Sequence, residues 1–167
     1  MVDTAPFLLV TDLDNTLIGG NPEYLEEFNQ VWRHCQKSGS KLVYNTGRSI
    51  ESFKEHISEG TIVPDAFIGG VGTKIHTFQD QDVSFDSGIP DARWEAYLCA
   101  GGWDKEKIVE MVSKGREPYK DRIFVEEAGE SPFKYTLISV EKILLEELRD
   151  NLKRELDAAS LEAQIIS

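Results

Sequence analysis

The chain has 167 residues, of which 40% are apolar and 10% aromatic, and its 30 acidic and 18 basic residues give a formal net charge of −12. This length suits one ordinary domain with room for a small appended one, and the composition is that of a folded globular protein rather than a disordered or fibrous one. The acidic balance argues against a nucleic-acid partner, because binding to a phosphate backbone requires a basic surface.

The amino terminus shows no targeting or membrane signal. The segment "MVDTAPFLLV" carries an acid and no cationic residue before its short apolar run, so it does not resemble a secretory signal. No stretch of the chain approaches the roughly 18 consecutive apolar residues that a membrane-spanning helix needs. Cys35 and Cys99 are far apart and form neither a disulfide framework nor a zinc-binding spacing. We expect a soluble cytoplasmic protein without membrane contact, with a plastid as the alternative compartment.

The first predicted strand and helix follow the amino terminus. The continuous apolar run "FLLV" (7–10) is typical of a strand that is covered on both faces. Asn21 and Pro22 then supply the N-cap and the first position of a helix, which Gly39 ends. The apolar stripe of this helix consists of Leu25, Phe28, Val31, Trp32 and Cys35.

Two further strands continue the pattern. "KLVYN" (41–45) is the second predicted strand, Ser49 opens a second helix, and "AFIGG" (66–70) is the third strand. The apolar side of the second helix consists of Ile50, Phe53 and Ile57. Strands and helices that alternate with short connections predict parallel strands joined by right-handed crossovers. We therefore predict an α/β fold whose Rossmann-like parallel sheet lies within residues 1–88.

The pattern changes after the third strand. Residues 72–88 alternate apolar and polar positions around a polar centre, which predicts a hairpin with Ile75, Phe78, Val83 and Phe85 as its apolar positions. Two helices are predicted next, over residues 91–99 and 104–114.

The end of the chain predicts a smaller layer of strands and helix. Strands are predicted over 122–127, 133–140 and 163–167, with a helix over 141–156. The leucines that face this layer are Leu144, Leu145, Leu148, Leu152 and Leu156. We place a domain boundary near residue 89, so that residues 89–167 form an α+β domain.

Polar residues follow the first two strands, where parallel α/β sheets bind their ligands. These residues are Asp12, Asp14, Thr16, Thr46, Gly47 and Arg48. A right-handed crossover makes the carboxyl ends of the two strands neighbours, so we expect these groups to share one crevice.

This set of groups suits phosphoryl transfer. The Asp12 carboxylate can attack phosphorus as a nucleophile, and Asp14 can protonate the leaving alcohol and later activate water. Because a phosphate repels a carboxylate, a hard cation such as Mg²⁺ is expected to bridge them. Thr46 and Gly47, with the amides of the helix that begins near Ser49, form a neutral anion site. Arg48 either contacts the phosphate or forms a surface ion pair, and the alternative for the two acids is a turn or cap role.

The motifs that carry these residues resemble a known superfamily. "DLDNT" (12–16) and "NTGR" (45–48) are similar to the first and second signature motifs of the haloacid dehalogenase superfamily, and "PDAFIGGVGTKI" (64–75) extends the likeness to its sucrose-phosphate phosphatase branch. The resemblance covers residues 7–76 well and the rest in outline. It implies a phosphomonoester hydrolase in carbohydrate metabolism, with Mg²⁺ as cofactor and a small sugar phosphate, such as sucrose 6-phosphate, as substrate.

The resemblance also assigns roles to individual residues. Asp12 would be the nucleophile and a metal ligand, Asp14 the general acid and base with its main-chain oxygen on the metal, and Thr46 with Gly47 the phosphate binders. The α+β domain would be a cap that selects the sugar. Gly72, Thr73 and Lys74 match a position near the hinge of the cap, and Lys134 corresponds loosely to a basic cap residue. The resemblance therefore implies a substrate-binding role for Thr73, Lys74 and Lys134. Trp94 and Trp103 are predicted to pack, with stacking on a sugar as the alternative.

The sequence departs from the family pattern after the cap. Family members return to the core with a lysine and a motif similar to G-D-x-x-N-D, which complete the phosphate and metal sites and add strands to the sheet, and neither motif is found here. Three explanations stay open: a fragment of a longer phosphatase, a short homologue that forms a homodimer, or a non-catalytic module that binds a sugar phosphate or a protein. If complete as given, the chain is expected to turn over little substrate by itself. A phospho-accepting receiver domain is less compatible, because its aspartate follows a middle strand and "AFIGG" offers none.

Overall fold

The structure is a computed structural model that describes residues 5–54, 60–79, 85–126, 131–161, 163 and 165. The chain forms two compact units, Met1–Trp94 and Glu95–Ser167. The boundary that we predicted near residue 89 lies shortly before this division. The assignment of the units as a core and a cap stays a prediction.

The first unit is built on a five-stranded sheet. Its strands and helices are β1 (Leu8–Thr11), α1 (Pro22–Lys37), β2 (Lys41–Asn45), α2 (Ile50–Lys54), β3 (Ala66–Gly69), β4 (Lys74–Thr77) and β5 (Ile89–Pro90). The strands lie in the order β1-β2-β3-β4-β5, with β1, β2 and β3 parallel and the last two antiparallel to their neighbours. The predicted parallel arrangement of the first three strands is confirmed.

Helix α1 begins and ends where the sequence predicts. The side chain of Asn21 accepts a hydrogen bond from the main-chain N–H of Glu23 at 3.1 Å, and Pro22 occupies the first helical position. After the helix, Gly39 adopts a φ of 87°, which glycine tolerates without strain. Trp32 is buried as predicted, but Val31 is 60% exposed and does not belong to the core-facing stripe.

One face of the sheet packs against both helices in a single apolar core. Leu42, Tyr44 and Phe67 are fully buried, and they share a core with Trp32 of α1 and Phe53 of α2. The rings of Tyr44, Phe67 and Phe85 lie 5.5, 5.1 and 4.6 Å from the ring centre of Phe53. Such aromatic pairs each contribute roughly 0.5–1.5 kcal/mol beyond burial of their area, so Phe53 joins the helix to the sheet.

The opposite face of the sheet is exposed at its two edge strands, β1 and β5. Leu8, Val10 and Ile89 are 62%, 51% and 47% exposed. The prediction that the first strand is covered on both faces is therefore wrong for the described part of the chain. Trp32 of α1 and Phe53 of α2 belong to one core, so both helices lie on the same face of the sheet. The strand order makes β1 an edge strand.

The segment predicted as a hairpin pairs differently. Its first arm, β4, pairs with β3 and with β5, and the second arm lies at Ile89–Pro90 instead of around Phe85. Phe85 begins a short 3-10 turn and is buried in the core of the first unit, where its ring contacts Phe78 at 5.6 Å. Val83 and Ile57, which we placed on apolar faces, lie outside the described residues.

The second unit combines helices with a two-stranded sheet. Helix α3 (Ala92–Ala100) starts in the first unit and leads to α4 (Lys105–Arg116), β6 (Ile123–Val125), β7 (Leu137–Ser139) and α5 (Lys142–Ala159). The strands pair antiparallel and are shorter than predicted. Its apolar core includes Leu144, Leu148, Leu152 and Leu156, with Leu145 packed against it.

Two predictions concern the rest of this unit. Of the strand predicted over 163–167, only Ala163 and Ile165 are described, and neither is part of a strand. Within the part of the chain that the structure describes, no helix is both long and apolar enough to cross a membrane.

Candidate active site

The turn after β1 exposes the two acids because the residue between them is buried. Leu13 has no exposed surface, and its carbonyl oxygen accepts hydrogen bonds from the main-chain amides of residues 16–18 at 2.9 to 3.2 Å. The side chains on either side of Leu13 point away from the core. Asp12 is therefore exposed and Asp14 is partly exposed. The hydroxyl of Thr16 donates weakly to Asp12 Oδ2 at 3.4 Å. The spacing of the two acids is thus set by an apolar anchor.

The segment after β2 continues the sheet for one more residue. Thr46 is buried, its N–H donates to the carbonyl oxygen of Ile68 at 2.9 Å, and its Oγ1 accepts a hydrogen bond from the N–H of Arg48 at 3.2 Å. At Gly47, a Cβ atom would have no other group within 4 Å. The main chain at Gly47 therefore borders open space in which an anion can approach its amide.

A cavity of about 510 Å³ lies at this edge of the sheet, within the first unit. The residues that line it are Asp12, Asn45, Thr46, Gly47, Ile68, Val71, Gly72, Ile75 and Trp94. The structure thus brings Asp12, Thr46 and Gly47 together around one space, as expected of residues that follow neighbouring parallel strands. Asp14 and Arg48 belong to the same two segments but do not line the cavity.

Arg48 forms an ion pair with Asp14. Its Nε lies 2.9 and 2.8 Å from the two carboxylate oxygens, and its Nη2 lies 2.5 Å from Oδ1. Nη1 also donates to the hydroxyl of Ser52 at 3.2 Å, which ties the guanidinium to α2. Of the two roles that we considered for Arg48, the structure shows the ion pair, and its partner is the second acid of the motif. A fork of this kind fixes both the distance and the orientation of a carboxylate.

The groups around Asp12 fit Mg²⁺ only in part. Mg²⁺ takes oxygen ligands, keeps several waters, and is commonly held by one or two carboxylates together with substrate phosphate. The Asp12 carboxylate and the main-chain oxygen of Asp14 are ligands of this kind, whereas the Asp14 carboxylate is occupied by Arg48. Among the described residues, no three His, Cys, Asp or Glu side chains cluster in a way that could hold a metal.

Thr73 and Lys74, the predicted substrate residues of the first unit, do not line the cavity. The hydroxyl of Thr73 donates to the carbonyl oxygen of Gly70 at 2.9 Å, which closes the turn before β4. Lys74 alternates with the cavity residue Ile75 along β4 and therefore points to the other face of the sheet. Burial lowers the pKa of His76 on that face, and the charge of Lys74 lowers it further. Lys134 belongs to the second unit, where its N–H donates to the carbonyl oxygen of Ser131 at 3.2 Å, and its role toward the substrate stays a prediction.

Sequence reasoning named Gly72 and Trp94 as candidates but missed Val71 and the turn that closes the far end of the cavity. Gly70, Val71 and Gly72 have φ angles of 57°, 61° and 85°, and they form a left-handed turn after β3. Trp94 falls within the predicted second domain (89–167), but the structure places it in the first unit. Its indole N–H donates to the carbonyl oxygen of Gly72 at 2.9 Å. The glycines of "GGVG" were a usable signal for such a turn.

Known proteins resemble this chain along nearly its whole length. Residues 5–167 match the model of the family described as sucrose-6F-phosphate phosphohydrolase. Sucrose-phosphatase 1 of Nicotiana tabacum is 29% identical over 170 residues, which cover 99% of this chain and 37% of that protein. Mannosylfructose-phosphate phosphatase of Agrobacterium fabrum is 30% identical over 112 residues, covering 64% of this chain and 40% of that protein. This chain therefore spans less than half the length of either relative.

The fold is also that of a solved relative. The structure of the sucrose-phosphatase of Synechocystis sp. PCC6803, in complex with sucrose and phosphate, matches 98% of this chain and 61% of that one with a TM-score of 0.75 and 22% identity. A haloacid dehalogenase-like hydrolase of Bacillus subtilis matches with a TM-score of 0.55. These likenesses confirm the α/β fold of the haloacid dehalogenase type. Together with the match over residues 5–167, they lead to one conclusion: the chain belongs to the sucrose-6F-phosphate phosphohydrolase family.

Proposed function

We propose that the first unit carries the nucleophile of a Mg²⁺-dependent phosphatase that hydrolyses a small sugar phosphate similar to sucrose 6-phosphate. The observation that carries this proposal is the grouping of Asp12, Thr46 and Gly47 around one cavity at the carboxyl ends of β1 and β2. The names of the tobacco and Agrobacterium relatives, which are phosphatases of sugar phosphates, support the substrate class.

The reaction proceeds in two displacements in this proposal. A carboxylate oxygen of Asp12 attacks phosphorus while the bond from phosphorus to the sugar oxygen breaks, and Asp14 donates a proton to that oxygen. Water then attacks the phosphoaspartyl group, Asp14 takes a proton from the water, and inorganic phosphate leaves. The amide of Gly47 and the hydroxyl of Thr46 donate hydrogen bonds to the phosphoryl oxygens in both steps.

The Arg48 contact bears on the role of Asp14. A carboxylate that accepts several hydrogen bonds from a guanidinium has no proton to donate in that state. In this proposal, Arg48 orients Asp14, and at least one of these contacts opens before the proton is transferred to the leaving oxygen.

A bound Mg²⁺ would neutralise the repulsion between the Asp12 carboxylate and the phosphate. In this chain, the Asp12 carboxylate and the Asp14 main-chain oxygen would hold it. We therefore expect Mg²⁺ to be needed for phosphate release, and chelation with EDTA to abolish it.

The test is release of inorganic phosphate from a panel of sugar phosphates, with and without Mg²⁺. Asp12→Asn keeps the size of the side chain but removes the nucleophile, so we expect the rate to fall at least about 1000-fold. Asp121→Asn, at an exposed acid of the second unit, is the matched control and should leave the rate unchanged. Undiminished phosphate release by Asp12→Asn would contradict the mechanism. Saturable binding of sucrose 6-phosphate without hydrolysis would instead support a non-catalytic binding module.

A further inference from the structure

The cavity beside Asp12 has a polar end and an apolar end. Asp12, Asn45, Thr46 and Gly47 come from the ends of β1 and β2. The apolar lining comes from β3, β4 and the segments that follow them, and consists of Ile68, Val71, Ile75 and Trp94. Because β3 and β4 are the next strands along the sheet, the apolar end lies to one side of the residues proposed to bind phosphate. A sugar phosphate also has a polar part and a less polar part: the phosphoryl group is charged, whereas a sugar ring presents C–H groups as well as hydroxyls.

Trp94 is held in a fixed position at the apolar end. Its indole N–H donates to the carbonyl oxygen of Gly72 at 2.9 Å, and its main-chain N–H donates to Asp91 Oδ1 at 3.1 Å. The N–H of Asp91 donates in turn to the carbonyl oxygen of Ile75 at 2.9 Å, which anchors the start of α3 to β4. An aromatic ring that is already ordered loses little conformational entropy when a ligand packs on it.

The turn that Trp94 contacts is strained. Val71 has a φ of 61°, a left-handed conformation that is a genuine outlier for a β-branched residue. Its side chain is 44% exposed although it is apolar, and it lines the cavity. Such strain persists only where the surroundings impose it, and it concentrates at functional sites. Here the indole hydrogen bond to Gly72 and the N–H of Val71, which donates to the carbonyl oxygen of Thr46 at 3.4 Å, hold the turn against the cavity.

We propose that Trp94 is a specificity-determining residue that packs its indole ring, together with Val71, against the C–H face of the sugar when the phosphoryl group lies beside Asp12. This inference rests on the proposed function, because it names the part of the substrate that the apolar end of the site recognises. It assigns sugar recognition to a residue of the first unit, independently of any contribution from the second unit.

The first test compares binding of three ligands by calorimetry: sucrose 6-phosphate, sucrose and inorganic phosphate. Trp94→Leu removes the ring but leaves an apolar side chain, and it should weaken binding of sucrose 6-phosphate and sucrose about tenfold, which corresponds to about 1.4 kcal/mol. Binding of inorganic phosphate should change less than about twofold. Trp94→Phe should recover part of the sugar affinity. Tyr24→Leu, at an exposed tyrosine of α1 that does not line the cavity, is the control and should bind all three ligands as the parent chain does.

A second measurement detects the contact between Trp94 and the sugar in the unsubstituted chain. In a chain labelled with ¹⁵N at tryptophan, the indole N–H signal of Trp94, assigned from its loss in Trp94→Phe, should shift when sucrose 6-phosphate is added. The signal of Trp32, which is buried in the core of the first unit, should stay in place. The circular dichroism of each variant verifies that it is folded.

The outcomes separate this inference from the proposed function. Hydrolysis of sucrose 6-phosphate with no change in KM or binding in Trp94→Leu overturns the role of Trp94 and leaves the phosphatase proposal standing. A selective loss of sugar binding in a chain that does not hydrolyse the ester supports the role of Trp94 and contradicts catalysis. If Trp94→Leu weakens the binding of the sugar ligands and of inorganic phosphate equally, Trp94 has a structural role and the inference is overturned. The inference is also overturned if the parent chain binds none of the three ligands.

Discussion

Replacing Arg48 by glutamine removes the guanidinium that holds Asp14. We expect this change to lower the free energy of unfolding of the first unit, because the ion pair between the two side chains is lost. Arg48 contacts both carboxylate oxygens of Asp14, so the interaction ties the turn after β1 to the segment after β2. A double-mutant cycle with Asp14→Asn isolates the interaction, because contributions that each side chain makes by itself cancel.

The size of the coupling follows from distance and exposure. Two opposite charges about 4 Å apart interact by about 1 kcal/mol in bulk water and about 4 kcal/mol at an effective dielectric constant of 20. The side chains of Arg48 and Asp14 are 30% and 43% exposed, which places the pair toward the lower limit because water screens it. We therefore expect a coupling free energy of about 1 kcal/mol, reduced at high salt.

The assay is urea unfolding of the four proteins in a Trp103→Phe background, where Trp32 and Trp94 report on the first unit alone. The control cycle uses Lys54 and Asp86, an ion pair of the first unit whose side chains are 37% and 78% exposed, for which we expect less than about 0.5 kcal/mol. A coupling at Arg48 and Asp14 that is no larger than the control would refute the reasoning, because it would mean that the fork does not constrain the carboxylate.

Two further predictions concern the packing around the site. The pKa of His76 lies below its ordinary value of 6.5, mainly because of burial and secondarily because of Lys74, so the unfolded chain binds more protons. Stability should therefore fall as the pH drops through 6.5 toward the lower folded-state pKa, and the melting temperature of His76→Gln should depend less steeply on pH across that window. Leu13→Ala should cost about 2–5 kcal/mol in urea unfolding because Leu13 is fully buried, whereas Leu8→Ala, at a side chain that is 62% exposed, should cost less than about 1 kcal/mol. Equal costs for the two leucines would show that Leu13 does not anchor the turn.

The sequence alone identified the strands that carry the acids and the order of the first elements. The signals for these strands and helices are local, because the residues that form each boundary are neighbours along the chain. They are the apolar runs before Asp12 and Thr46, the N-cap Asn21 and the terminating Gly39. For the same reason the sequence predicted that Asp12, Thr46 and Gly47 share one edge of the sheet, since right-handed crossovers leave few alternatives. The roles of these residues in catalysis stay proposals.

Tertiary structure decided what sequence patterns do not encode. The exposure of Leu8 and Val10 depends on which face the helices cover, and an apolar run looks the same whether one or two faces are covered. The partner of Arg48 depends on the distance between two segments 34 residues apart. The place of Trp94 in the cavity depends on a left-handed turn and on an indole hydrogen bond that spans 22 residues. Contacts between residues distant along the chain arise only when the whole sheet is assembled, so local periodicity cannot specify them.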